Sequence, residues 1–136
     1  MSSAATESLC STKTVLLAED SEMICSLIVD ILKAEGYKVI PAADGRKAHD
    51  YFREHSDEID LIVTDIVMPN MNGRELGQQC RDRTLHIGIL YMSGCADGQL
   101  DPERDLTGNA DFIAKPFRPV EFVTKVRSLL DSAKVA

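Results

Sequence analysis

The stretch LIVTDIVMPNMNG, residues 61–73, carries a β-type run, Leu61 to Thr64, straight into a carboxylate, Asp65. Met68-Pro69 and Asn72-Gly73 follow within eight residues. Pro fixes φ and Gly supplies unusual backbone angles, so the run must stop in a turn just after the acid. A strand that delivers an Asp to its own end and then breaks is the unit from which the rest of the chain can be read.

The same unit recurs. TVLLA (14–18) runs into Glu19-Asp20, IGILYMS (87–93) into Gly94, and DFIAK (111–115) into Pro116. KVIPA (38–42) is a further strand, with Pro41 near its end, where a lost donor matters least. Helical spacing fills the gaps. In 22–36, Ile24, Leu27, Ile28, Ile31 and Leu32 recur at three and four, with Asp20 or Ser21 as cap and Gly36 as stop. Residues 45–56 place Ala48, Tyr51 and Phe52 on one face, and 73–83 offers Leu76 and Cys80 as inward residues. Residues 118–133 open with Pro119 in the first turn. Segment 97–110, broken by Gly98, Pro102 and Gly108, is a short helix at best.

Five strand–helix alternations predict an α/β fold with a doubly wound parallel sheet of five strands and five helices. The strands are continuously apolar rather than alternating, as a sheet covered on both faces requires. With 136 residues, 44% hydrophobic, 5% aromatic and no Trp, there is material for one domain with an aliphatic core. The expected organisation is a disordered leader at 1–12, a domain at 13–133 and a tail at 134–136.

Net charge is −7, which argues against nucleic acid or an anionic membrane as partner, since phosphate contacts need Lys and Arg. No run approaches membrane-spanning length and the N-terminus lacks a signal-peptide h-region. Cys10, Cys25, Cys80 and Cys95 form no C-x-x-C pair, so a zinc site is not expected, and Cys25 and Cys80 read as small core residues. The expectation is a cytoplasmic protein in a reduced compartment.

In open α/β sheets, ligands bind beyond the carboxyl ends of the strands. Glu19, Asp20, Asp65, Ser93 and Lys115 all fall there. Taken singly, Asp20 could be a helix cap, Glu19 a solvated loop acid, Asp65 a turn cap, Ser93-Gly94 an ordinary turn and Lys115 a surface lysine. Together, three carboxylates need a positive charge beside them. Mg²⁺, a hard cation held by few carboxylates plus phosphate, suits them, and Lys115 suits a phosphate. A carboxylate nucleophile with a metal, a hydroxyl and a lysine describes phosphoryl transfer to Asp65.

Over residues 13–132 the sequence resembles the receiver domains of two-component response regulators, through LLAED, VTDIVMPNMNG, YMSG and FIAKPF in that order. The resemblance implies a flavodoxin-like sheet with strand order 2-1-3-4-5. It implies Asp65 as phospho-acceptor, Glu19 and Asp20 as the acid pair that organises Mg²⁺ (or Mn²⁺), and the Val67 backbone carbonyl as a further metal ligand. Ser93 matches the switch hydroxyl, Phe112 the switch aromatic and Lys115 the lysine, with Lys115-Pro116 at a bond that is usually cis. Glu19 stands where Asp is more usual, Ser93 for Thr, and Phe112 where Tyr is common.

The implied partners are a histidine kinase or histidine phosphotransfer protein, approaching at the first helix beside Glu22, Met23 and Cys25. A downstream protein is expected on the face of the fourth helix (97–110), fifth strand and fifth helix. The expected form is a monomer or weak dimer. It would promote its own aspartyl phosphorylation and dephosphorylation without a separate output enzyme. A stand-alone receiver, acting as a phosphorylation-dependent binding module or as a phosphate shuttle in a phosphorelay, is the first reading, and a receiver from a hybrid histidine kinase is the alternative. An aspartyl-phosphate phosphohydrolase would want a second Asp two residues after Asp65, where Val67 stands. A flavodoxin-like cofactor binder would want a Gly/Ser/Thr-rich loop where AEDSEM stands, and a degenerate, binding-only receiver would not keep the acids, Ser and Lys. Val67 and Cys95, flanking the approach of water in this family, carry no amide or carboxylate, so slow self-dephosphorylation is expected.

Overall fold

The five apolar runs become five parallel strands: β1 (Thr14–Ala18), β2 (Lys38–Ala42), β3 (Leu61–Asp65), β4 (Gly88–Ser93) and β5 (Ala110–Ala114). The computed structural model describes residues 12–84, 86–94 and 108–135. The strands form one sheet in the order β2-β1-β3-β4-β5, every neighbouring pair parallel. Four helices are present among the described residues: α1 (Glu22–Ala34), α2 (Gly45–His55), α3 (Gly73–Arg83) and α4 (Pro119–Val135), with a single 3₁₀ turn at Ser56–Glu58. The helix expected in 97–110 falls largely outside the described residues.

Alternation along the strands explains why the runs are apolar throughout. Val15 and Leu17, Leu61 and Val63, and Leu90 and Met92 face one way, into a core closed by Ile28 and Leu32 of α1 and by Phe122, Val126, Leu129 and Leu130 of α4. Leu16 and Ala18, Ile62, and Ile89 and Tyr91 face the other way, against Ala48 and Phe52 of α2 and Leu76 and Cys80 of α3. The sheet is therefore doubly wound, in the flavodoxin-like order. Each fully buried Leu, Ile or Phe contributes about 1.5–3 kcal/mol, which lets two modest helix layers hold the sheet.

Helix ends follow local chemistry. Ser21, not Asp20, caps α1, its hydroxyl accepting from the Ile24 N–H. At the other end Gly36 takes φ +91°, and the N–H groups of Gly36 and Tyr37 return to the carbonyls of Lys33 and Leu32. Asn72 and Glu75 form a reciprocal capping box on α3. Leu27, expected inward, is 55% exposed, because the core covers only the Ile28–Leu32 side of the α1 stripe. Ile87 is buried but precedes β4, since its N–H closes a turn onto Thr84 instead of entering the ladder.

Candidate functional site

The registers of β1 and β3 set two carboxylates side by side. Ala18 pairs with Thr64, so the next residues, Glu19 and Asp65, leave adjacent strands at the same level. This is the point where the order of connections reverses, at the carboxyl edge of the sheet. β5 brings the lysine: Ala114 pairs with Ser93, and the Lys115 N–H donates to the Ser93 carbonyl at 2.8 Å. The following Lys115-Pro116 bond is cis. Lys115 Nζ lies 3.1 Å from Glu19 Oε1 and 3.2 Å from Asp65 Oδ2. The other oxygens are also held: Ser21 N–H donates to Glu19 Oε2 at 3.1 Å, and Ile66 N–H donates to Asp65 Oδ1 at 2.9 Å. Asp20, freed from capping, stays exposed, while Glu19 is buried. Glu19, Asp20 and Asp65 each offer an oxygen within 4.8 Å of the others.

Burial pushes the Glu19 carboxyl up, against the Ser21 N–H; the Asp65 charge adds to the rise, and Lys115 opposes it. Burial likewise raises Asp65, against the charge and hydrogen bond of Lys115. Burial pulls Lys115 down, but Glu19 and Asp65 together outweigh it and hold the ammonium firmly protonated. With all three acids ionised, one ammonium leaves two negative charges in excess. An oxygen-only donor set with that excess fits a divalent hard cation such as Mg²⁺ and gives a soft metal no ligand.

The response regulator receiver domain model matches residues 15–127, nearly all of the described sheet and both helix layers. The chain belongs to the response regulator receiver family. Among its relatives, the response regulator receiver protein CpdR of Brucella abortus is 31% identical over 121 residues, which cover 89% of this chain and 99% of CpdR. The aerobic respiration control protein ArcA of Escherichia coli is 32% identical over 120 residues, 88% of this chain. The receiver chain spans about half of ArcA, 49% of its length. Among solved structures, a chain of the CheX–CheY–BeF₃–Mg²⁺ complex from Borrelia burgdorferi superposes with a TM-score of 0.78 at 28% identity, covering 86% of this receiver and 88% of that chain.

Ser93, 9% exposed at the end of β4, donates its hydroxyl to the Gly94 carbonyl at 3.0 Å. Phe112 in β5 is 39% exposed, and Val67 is 58% exposed just beyond Asp65. Cys95 lies outside the described residues. Cys80 is fully buried and its thiol is pushed up to about 12, an inert core residue, whereas Cys25 is half-buried against the α1 side of the core. Sequence reasoning missed Asp44 and Asn70, whose side chains meet at 3.1 Å between the loops that precede α2 and α3. The Asp-Gly pair ahead of a helical run was the available signal, since it marks a cap. No helix among the described residues is long and apolar enough to cross a membrane.

Proposed function

We propose that this receiver takes a phosphoryl group onto Asp65 from a phosphohistidine of a histidine kinase or histidine phosphotransfer protein and signals through protein binding. The observation that carries this reading is Lys115 Nζ, held by Glu19 and Asp65 at 3.1 and 3.2 Å beside three clustered carboxylates. An Asp65 oxygen attacks phosphorus, the P–N bond to the donor imidazole breaks, and the imidazole leaves with its electron pair. Lys115 then follows the negative charge from the carboxylates to the transferred oxygens. Glu19, Asp20, Asp65 and the Val67 carbonyl would hold Mg²⁺, which when bound supplies the charge that lets an anionic donor approach.

The phosphodonor docks on α1, which starts at the acid pair and exposes Met23 at 82% and Leu27 at 55%. Beside it a hollow of about 350 Å³ is lined by Glu19, Asp20, Glu22, Cys25, Ser26 and Pro41, among others. Phosphorylation draws the Ser93 hydroxyl from the Gly94 carbonyl toward the phosphoryl oxygens, and Phe112 turns inward. The output face takes in β5 and α4, where Val120 is 67% exposed; the part of the expected face at 97–107 lies outside the described residues.

Phosphoryl uptake from a small donor such as acetyl phosphate, followed by intact mass, is expected to require Mg²⁺. Chelation with EDTA should stop it, and Mg²⁺ or Mn²⁺ should restore it. Uptake that continues in EDTA would contradict the metal-assisted reading. Val67 offers no group to orient an attacking water, so the phosphorylated form decays slowly. Val67→Asn should shorten its lifetime several-fold without a phosphatase, and an unchanged decay would show that this side chain does not govern water access.

A further inference from the structure

The loop after Asp65 is held by a residue from a different loop. Asp44, 9% exposed, caps α2 by accepting from the Lys47 N–H through Oδ1 at 2.8 Å. Its other oxygen, Oδ2, accepts from the Asn70 side-chain amide at 3.1 Å. Asn70 sits at φ +71°, a left-handed conformation that Asn tolerates better than most non-glycine residues, and here its amide is spent on Asp44. Gly45, next to Asp44, meets the same loop through backbone: a Cβ there would collide with the Met71 carbonyl oxygen. The loop is also pinned at its base. Ile66 and Met68 are buried on the α2–α3 side of the sheet, and the Gly73 N–H donates to the Ile66 carbonyl at 2.8 Å. Val67 stands between these two anchors, and Asn70 is the only side chain of 66–71 with a hydrogen bond to the α2 loop among the described residues.

We propose that Asp44 and Asn70 are positioning residues that clasp the two loops together and so keep the Val67 carbonyl in place for the divalent cation. The proposal rests on the reading that the Asp65 site takes Mg²⁺. It assigns Asp44 two tasks that can be separated, since one oxygen caps α2 and the other reaches Asn70. A loop whose apex is free samples positions in which the carbonyl is turned away, and each such position lowers metal affinity without removing a ligand.

The test uses the full chain and three variants. Asp44→Ser keeps a cap but cannot reach Asn70, and Asn70→Gly keeps the left-handed backbone but loses the amide. Asp44→Asn keeps the cap and can donate to a turned Asn70 carboxamide without the charge. Calorimetric Mg²⁺ titration should show a loss of about tenfold for Asp44→Ser and for Asn70→Gly, the low end of the range for groups that orient metal ligands, since these two act on Val67 only through the loop. The double variant should lose no more than either alone, and Asp44→Asn should retain wild-type affinity. In the metal-free protein, amide exchange across 66–72 should rise in the first two variants and not in Asp44→Asn. Wild-type Mg²⁺ affinity and unaltered exchange in Asp44→Ser and Asn70→Gly would overturn the clasp alone. Failure of the wild-type chain to bind Mg²⁺ would overturn both the clasp and the metal-site reading beneath it.

Discussion

Asp65→Asn is expected to abolish phosphoryl uptake from both acetyl phosphate and a phosphohistidine donor, a loss of at least about a thousandfold. The carboxamide matches the carboxylate in shape, so the Ile66 N–H can still donate to its oxygen. What it lacks is a nucleophilic anion: the amide oxygen is a far weaker attacking group, and the variant brings one fewer charge to the metal. The change also leaves Lys115 with Glu19 as its remaining close partner, 3.1 Å away. The fold should therefore persist, and circular dichroism should match the wild type while intact mass shows no phosphoryl adduct. Uptake at the wild-type rate in this variant would place the acceptor elsewhere.

The second large effect is expected from Lys115→Met, read as stability. The Glu19 side chain is 1% exposed and that of Asp65 13%, and Lys115 stands within 3.2 Å of both. Removing one partner of a buried ion pair costs about 3–5 kcal/mol, chiefly because the remaining charge stays buried without compensation. Burial already raises both carboxyls in the presence of the lysine, so in the variant they rise further. A carboxyl whose folded pKa lies above its unfolded value contributes stability below the unfolded value and loses it as pH rises through the folded one. The deficit of Lys115→Met should thus grow from acidic to neutral pH. It should shrink when Mg²⁺ is added, because a bound cation replaces the missing charge. Urea unfolding at both pH conditions, with and without Mg²⁺, checks this. A deficit indifferent to pH and to Mg²⁺ would mean that Lys115 contributes packing rather than charge.

The acids and the lysine were legible for a geometric reason. Each ends an apolar run, and a parallel sheet brings all such ends to one edge, so order along the chain is enough to assemble Glu19, Asp65 and Lys115. The two-sided core was legible from strands without polar alternation. What periodicity could not supply was coverage. Leu27 fits the helical spacing of α1 as well as Ile28 does, yet it is exposed, because the core covers only the Ile28–Leu32 side of that stripe. Nor could spacing supply contacts between loops. Asp44 and Asn70 are 26 residues apart, and their meeting depends on how closely the backbone of Gly45 approaches Met71. Taken alone, Asp20 read as a cap sooner than as a ligand. The hydrogen bond from Ile24 to Ser21 removes the first alternative and leaves the Asp20 carboxylate free beside Glu19 and Asp65.

Chemical trapping of the phosphorylated residue identifies the acceptor directly. The chain is incubated with acetyl phosphate and Mg²⁺, then treated with borohydride, which reduces an aspartyl acyl phosphate to homoserine, and the peptides are sequenced by mass spectrometry. Homoserine is expected at position 65 alone, dependent on Mg²⁺ and absent without donor. Reduction at Asp20, a reduced glutamyl product at Glu19, or a phosphoryl group that resists borohydride would contradict it.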